Sequence, residues 1–449
     1  MLGSILKSTW PLFLGVSFLM LGNGLQGTLI GWRGDHEGFS STTMGIIMAG
    51  YFLGYMMGSK FSKSIVENVG HIRVFAALAS MASTAILLQV VFIDERMWFA
   101  MRIVTGFCFA GSYVVVESWL NERANNLTRG SLFSIYMVVT FASLTAGQWL
   151  FKLSDPSGVN LFIIASVLLS LSLIPLLISK TEVPEIAHTD SMGIFKLYGI
   201  SPAGISGLLL VGMTQGAMFT MGTLYAKQVG MNTTQIASFM SIMIAFGAIS
   251  QWPLGKMSDL FDRRLVMAVL AFVAAGICGL LFVSDPLSSR FILIYGVLGA
   301  LNLPLYAISI AHANDRLKPS QMVGASSTLV FTFGLGSVIG PLVVGLVLDF
   351  AGASSYFIYL GVIHLVVALV TCYHISRRKR VADEDQVQYQ GLPLRGSVIA
   401  IEAFAQYAED TMEEDKEEEE EEEEEVVGEG EGEGEGEGEG EGEGEAARN

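Results

Sequence analysis

Residues 102–130, RIVTGFCFAGSYVVVESWLNERANNLTRG, put the most chemistry into the least space. An apolar run carries Arg102 and Glu117 and ends in the polar elbow Asn121-Glu122-Arg123, followed by Arg129-Gly130. A carboxylate preceded by so much hydrocarbon costs about 2.5–3.5 kcal/mol at the centre of a bilayer, so it belongs in a bundle interior or a water-filled cavity. At 1.5 Å rise per residue, Arg102 and Glu117 stand roughly 22 Å apart along one helix and cannot pair directly. Each needs a partner elsewhere. A carboxyl that is neutral in one conformation and charged in another is what proton coupling requires, and Glu117 is the candidate. The competing reading is a permanent ion pair with Arg129 or another base.

Further polar groups recur at comparable depth. Asn23 and Gln26 lie three residues apart and so share one helical face. Gln148, Gln215 and Asn302 are isolated amides within apolar runs, and Tyr113 and Tyr306 supply hydroxyls. Amides donate and accept, which suits a neutral or zwitterionic polar solute. Interhelical hydrogen bonding, at about 0.6 kcal/mol per bond, is the alternative use of the same residues. The six histidines are scattered, none at metal spacing to another or to a cysteine, and no P-loop is present. No basic stripe with interleaved aromatics points to nucleic acid. The chain is therefore not expected to be an enzyme, nor to need a metal or cofactor. Cys108, Cys278 and Cys372 all fall in apolar runs, where packing is their expected role.

The elements that must position these groups are membrane helices. The 449 residues are 51% hydrophobic with a mean hydropathy of +0.52. Twelve apolar spans are expected, at roughly 10–32, 43–61, 73–93, 97–120, 131–152, 160–179, 203–226, 236–255, 265–284, 290–312, 323–350 and 355–376. The first is too long for a signal-peptide core and lacks a cleavage site. The net charge of −17 is misleading, because residues 381–449 hold 27 acids and 3 bases, whereas residues 1–380 hold 16 acids and 23 bases. Those bases crowd the span ends of one side; only Arg33, Arg96, Lys152, Lys227 and Arg290 fall at the other. The positive-inside rule then places both termini in the cytoplasm.

The spans are duplicated. Gln215 lies 189 positions after Gln26, and Gly255–Arg264 aligns with Lys63–Arg73 at an offset of 192. Asn314-Asp315-Arg316 matches Asn121-Glu122-Arg123 at 193, as Gly340 matches Gly147. Two six-helix halves explain the shared offset. With its G-x-x-x-D-x-x-x-R-R loop from Gly255 to Arg264, the chain resembles the major facilitator superfamily over residues 1–380. In the N-terminal copy Lys63 replaces the glycine, Glu67 the aspartate and His71 one of the bases. Tyr113-Val-Val-Val-Glu117-Ser-Trp, Gln251-Trp-Pro-Leu-Gly255 and Gly336-Ser-Val-Ile-Gly340-Pro341 are similar to the YcaD-like branch. Antiporters of the superfamily often carry a Gly-Pro motif in the fifth span; here that span reads Thr145-Ala-Gly147-Gln148-Trp149, which argues against a drug exporter.

The resemblance implies an all-α membrane protein, with twelve transmembrane helices in two pseudo-symmetric six-helix bundles. The expected divisions are 1–180, a cytoplasmic linker 181–202, 203–380, and an acidic tail 381–449 expected to be disordered because like charges repel and glycine is costly to order. Residues 398–407 are read as a short interfacial helix. The resemblance also implies that spans 1, 4, 7 and 10 line the pathway. It further implies that Glu67, Arg73, Glu122, Arg123, Asp259, Arg263, Arg264, Asp315 and Arg316 form a charge network latching the cytoplasmic face. The glycines of the eleventh span, Gly334 to Gly345, are read as packing contacts.

The function expected is a secondary transporter moving a small organic solute by alternating access, coupled to protons through Glu117. It would be a monomer, integral to the cell (bacterial inner) membrane. The partners expected are a small-molecule substrate, protons and the lipid bilayer, but no nucleic acid, with the acidic tail a candidate site for a protein partner. Two rivals remain: a non-transporting scaffold whose tail recruits that partner, and a drug exporter with a broad aromatic pocket.

Overall fold

The computed structural model describes residues 2–124, 126–178, 192–381, 386, 389, 391 and 396–403. The first half comprises α1 (Leu2–His36), α2 (Ser41–Val69), α3 (His71–Val91), α4 (Glu95–Arg123), α5 (Asn126–Leu150), α6 (Asn160–Leu171) and α7 (Leu173–Ile178). After α8 (Ile194–Ile200) come α9 (Pro202–Gln228), α10 (Thr233–Leu260), α11 (Arg263–Val283), α12 (Ser289–Asn302), α13 (Pro304–Asn314), α14 (Pro319–Ala351) and α15 (Ser355–Arg377). A last short helix, α16, covers 398–403.

Polar residues at the helix starts satisfy backbone donors that the helices cannot satisfy themselves. Ser40 accepts from the Thr43 amide at 3.1 Å, Asp94 from Met97 at 2.9 Å and Ser288 from Phe291 at 3.2 Å. Asn232 and Gln235 form a reciprocal capping box at the start of α10. Gly70, at φ 94°, makes the turn between α2 and α3 that a side chain would strain.

Eleven spans among the described residues are long and apolar enough to cross a membrane, α6–α7 and α12–α13 each counting as one. The twelfth expected span is α2, 29 residues long, whose four glycines and two tyrosines dilute its hydropathy. Those glycines are packing devices. A Cβ at Gly54 would strike the Ile103 carbonyl of α4, and one at Gly106 the Tyr51 carbonyl of α2. On the opposite flank, a Cβ at Gly45 would lie 2.5 Å from the Pro341 carbonyl of α14, and one at Gly345 would lie 2.5 Å from that of Ser41. Small residues let backbones approach where apolar burial alone gives little drive.

Each half packs mainly on itself, and the halves meet through α1, α2 and α5 against α9, α14 and α10. Large apolar side chains on α6 and α11, such as Ile163, Val167, Phe272 and Val283, point outward as a lipid-facing surface. On the face away from the chain termini the seam is shut. Asp349 of α14 accepts from the Ser41 and Thr42 amides of α2 at 2.9 and 2.8 Å. Lys227 of α9 stands 4.4 Å from the centroid of the Trp32 ring of α1. Toward the terminal face a cleft of about 350 Å³ opens between α2 and α14.

Within the tail, residues 396–403 are ordered. Gly396 and Ser397 are buried, and α16 is packed in the protein interior rather than lying at a membrane interface. Its apolar residues Val398, Ile399, Ala400, Ile401 and Ala403 are too few to fold alone and gain order only from the cavity they fill. Residues 404–449, including the glutamate run and the Gly-Glu repeats, lie outside the described residues. So does the linker over 181–191; its end folds as α8 and packs on α9 and α14.

Candidate functional site: a carboxylate at the seam

Glu117 of α4 is fully buried. The Tyr136 hydroxyl of α5 donates to Oε1 at 3.0 Å, and the Ser397 backbone amide donates to Oε2 at 2.8 Å. The Ser397 hydroxyl and the Ala400 amide address the same carboxylate. Ser397 Oγ also accepts from the Ile399 amide at 3.1 Å. Glu117 is therefore held by neutral donors, with no base in ion-pair range among the described residues. The expected partner Arg129 does not supply one.

Aromatic hydroxyls surround this group. Tyr55 of α2 donates to the Gly396 carbonyl at 3.2 Å, and its ring centroid lies 6.2 Å from that of Tyr113. The Tyr113 hydroxyl accepts from Asn23 Nδ2 at 3.2 Å, so Asn23 and Tyr113 meet across α1 and α4. Tyr306 of α13, its ring 4.5 Å from that of Phe333, stands within electrostatic reach of Glu117. Asn23, Tyr113, Tyr306 and Glu117 thus converge, joined by Tyr55 and Tyr136, which the sequence reading did not single out.

The other amides turn into their own bundles. Gln26 faces Gln89 of α3, with Nε2 3.5 Å from Oε1. Gln148 accepts a hydrogen bond from Thr28 Oγ1 of α1. Gln215 donates to the carbonyls of Asn302 and Leu303 at 3.1 and 3.3 Å. Pro304 interrupts the tenth span and lacks the amide that would pair with the Ala300 carbonyl. Ser250 of α10 satisfies that carbonyl at 2.7 Å. Asn302 Nδ2 bridges Thr214 Oγ1 at 2.7 Å and His364 Nε2 at 2.8 Å. His364 Nδ1 lies 2.7 Å from the Leu360 carbonyl, which fixes the tautomer with its proton on Nδ1 and Nε2 accepting. These four amides are accounted for by intrabundle bonding. Depth is readable from sequence; azimuth around the helix is not.

In the second half, members of the charge set expected to form a latch pair with one another. Arg263 of α11, 2% exposed, donates to Asp259 of α10 at 2.8 Å and pairs with Asp315 after α13 at 3.1 Å. Arg264 pairs with Asp262 at 2.7 Å and also donates to the Arg378 carbonyl at 2.9 Å. Arg316 donates to the Lys379 carbonyl at 2.9 Å. In the first half Glu67, Arg73 and Glu122 are exposed and Arg123 is half-buried. His71, standing where the loop pattern has a base, stacks on Trp119 instead, at 5.8 Å between centroids. Arg102 finds its partner in the face of the Tyr51 ring, 4.5 Å from the centroid. Among the described residues, no group of three His, Cys, Asp or Glu is placed to hold a metal ion.

The family profile described as Major Facilitator Superfamily matches residues 12–300 and 204–407. The chain belongs to the major facilitator superfamily. Its relatives there include the "Uncharacterized MFS-type transporter YcaD" of Escherichia fergusonii, 24% identical over 368 residues, which covers 81% of this chain and 95% of that protein. The YcaD protein of Salmonella typhi is likewise 24% identical over 371 residues, covering 82% and 95%. Among solved structures, the nucleoside transporter NupG is similar at a TM-score of 0.64 and 13% identity, over 82% of this chain and 98% of that one. A bacterial homologue of the human lysosomal transporter Spinster, in its inward-facing and occupied conformation, gives 0.64 and 14% over 83% and 97%. These likenesses show the superfamily fold: an integral, multi-pass membrane protein of a transporter family.

Proposed function

We propose that this superfamily member is a proton-coupled secondary transporter for a small organic solute, with its site at the seam around Glu117. One observation carries the reading: a carboxylate sealed at the junction of the halves is held by hydroxyl and amide donors instead of a fixed base. Such a group can gain and lose a proton as the surrounding helices rearrange, whereas a permanent ion pair would lock it charged. The contact set proposed is Asn23, Tyr113 and Tyr306 with Tyr55 and Tyr136, since the remaining amides are engaged within their bundles. The crowding of Lys and Arg supports a cytoplasmic location for the terminal face. The shut seam at the other face and the cleft at this one then fit an inward-facing state of an alternating-access cycle. The test is Glu117→Gln in proteoliposomes. The variant should exchange solute down its gradient yet no longer accumulate it when a pH gradient is imposed. Normal pH-driven accumulation would remove Glu117 from the coupling role.

A further inference from the structure

Residues beyond α15 lie at the mouth of this site. They meet the second half first: the Tyr389 amide donates to Asp259 at 2.9 Å, and its hydroxyl to Gln251 Oε1 at 3.3 Å. The Tyr389 ring covers Gly255, where a Cβ would collide with it. Gly391 lies against Met137 of α5. Gly396 and Ser397 then contact Tyr55 and Glu117 at the centre, and Glu402 pairs with Lys63 of α2 at 2.9 Å on the far wall. The segment crosses from the α5–α10 side of the seam to the α2–α14 side, making directional contacts at both ends and in the middle.

We propose that residues 396–403 occupy the solute site of the carrier from within, and that the solute they stand in for bears a cluster of N–H donors on an apolar body. This inference rests on the seam around Glu117 being the transport site. The chemistry follows from the contacts. Glu117 receives the Ser397 amide on one oxygen and the Tyr136 hydroxyl on the other, with the Ala400 amide and the Ser397 hydroxyl turned toward the same carboxylate, so it asks its occupant for donors. The occupant's body is Val398, Ile399, Ala400 and Ile401, all buried, and Val398 lines the cleft beside Val330 and Phe331. A primary amine or an amidine on an apolar or aromatic body presents the same pattern, with charge complementary to the carboxylate. Carboxylic acids of the same shape would set like charge against Glu117. Lys63 and Glu402 fix the register of the segment, and a free solute has no need of that pair.

The test keeps the full chain and replaces Tyr55 with Cys beneath Gly396, in a Cys372→Ser background, to report on access by N-ethylmaleimide. Ala400→Glu sets a second carboxylate against Glu117 and should speed labelling at least tenfold. Lys63→Glu should also speed it, and combining it with Glu402→Lys should restore slow labelling, an outcome that general loosening of the fold cannot produce. Equal labelling rates in all variants overturn the occupancy. For the solute class, tyramine should raise the thermal midpoint of Ala400→Glu more than that of the parent chain, and 4-hydroxyphenylacetate should raise neither. A larger shift with the acid overturns the donor assignment. Labelling needs no transport, so failure of proton coupling in Glu117→Gln leaves this result standing, and the converse also holds.

Discussion

The Ser397 amide donates to the Glu117 carboxylate at 2.8 Å, although 280 residues separate the two in the chain. A group that the membrane body leaves facing a cavity is thus satisfied by a segment from beyond its last helix. Both partners are buried, so breaking the contact from either side exposes a polar group to an apolar wall.

Two pseudo-equivalent glutamines should respond oppositely to the same substitution. Gln215→Leu strips donors from the Asn302 and Leu303 carbonyls at the break in the tenth span, and should cost about 2 kcal/mol of stability. Gln26→Leu removes only a 3.5 Å contact and a carbonyl oxygen that has no partner, and should be neutral or slightly stabilising. Thermal unfolding in detergent checks both. Equal losses would mean the Gln215 contact is not what holds the break.

The latch in the second half should be a stability element. Arg263→Ala removes a buried guanidinium from Asp259 and Asp315 and should cost about 3 kcal/mol, read as loss of folded protein on size exclusion after mild heating. Exposed Arg73→Ala should change little. A similar loss for both would make the buried pairing irrelevant.

Close approach of α2 and α4 predicts a sharp contrast between glycines. Gly54→Ala drives a methyl into the Ile103 carbonyl and should impair folding, whereas Gly27→Ala on α1 meets nothing within 4 Å and should fold normally. Expression and monodispersity of the two variants decide the matter.

Docking of α16 should depend on pH through Glu402. Burial lifts its carboxyl above the ordinary carboxylate range, with Lys63 pulling it back. A docked carboxyl of raised pKa holds its proton more tightly than a free one. Its contribution is therefore complete below the free value and fades as pH rises through the docked value. The ratio of Tyr55→Cys labelling in the parent to that in Glu402→Gln should rise with pH across that window. A flat ratio would show that Glu402 does not titrate on docking.

Much of the body was legible in the sequence because membrane helices announce themselves by length, and the shared offset exposed the duplication. Glu117 stood out for the same reason, since its cost in hydrocarbon does not depend on its neighbours. The facing of Gln26, Gln148, Gln215 and Asn302 was not legible, because a few tens of degrees of helix rotation decide between cavity and bundle. Pro304 was a readable signal of the break that Ser250 repairs. The interior placement of segment 396–403 escaped, although a short helix from 398 was expected, because eight residues carry no signal of what they pack against.

Eighteen residues separate Arg377, the end of α15, from Gly396, which keeps the occupying segment tethered near the site. A tether of that length holds it at an effective concentration on the order of millimolar. Free solute competes against that standing supply, and its apparent affinity falls in proportion to the fraction of carriers left unfilled. The carrier therefore sets its own working range: a scarce solute meets an occupied site, and an abundant one displaces the tail and is carried.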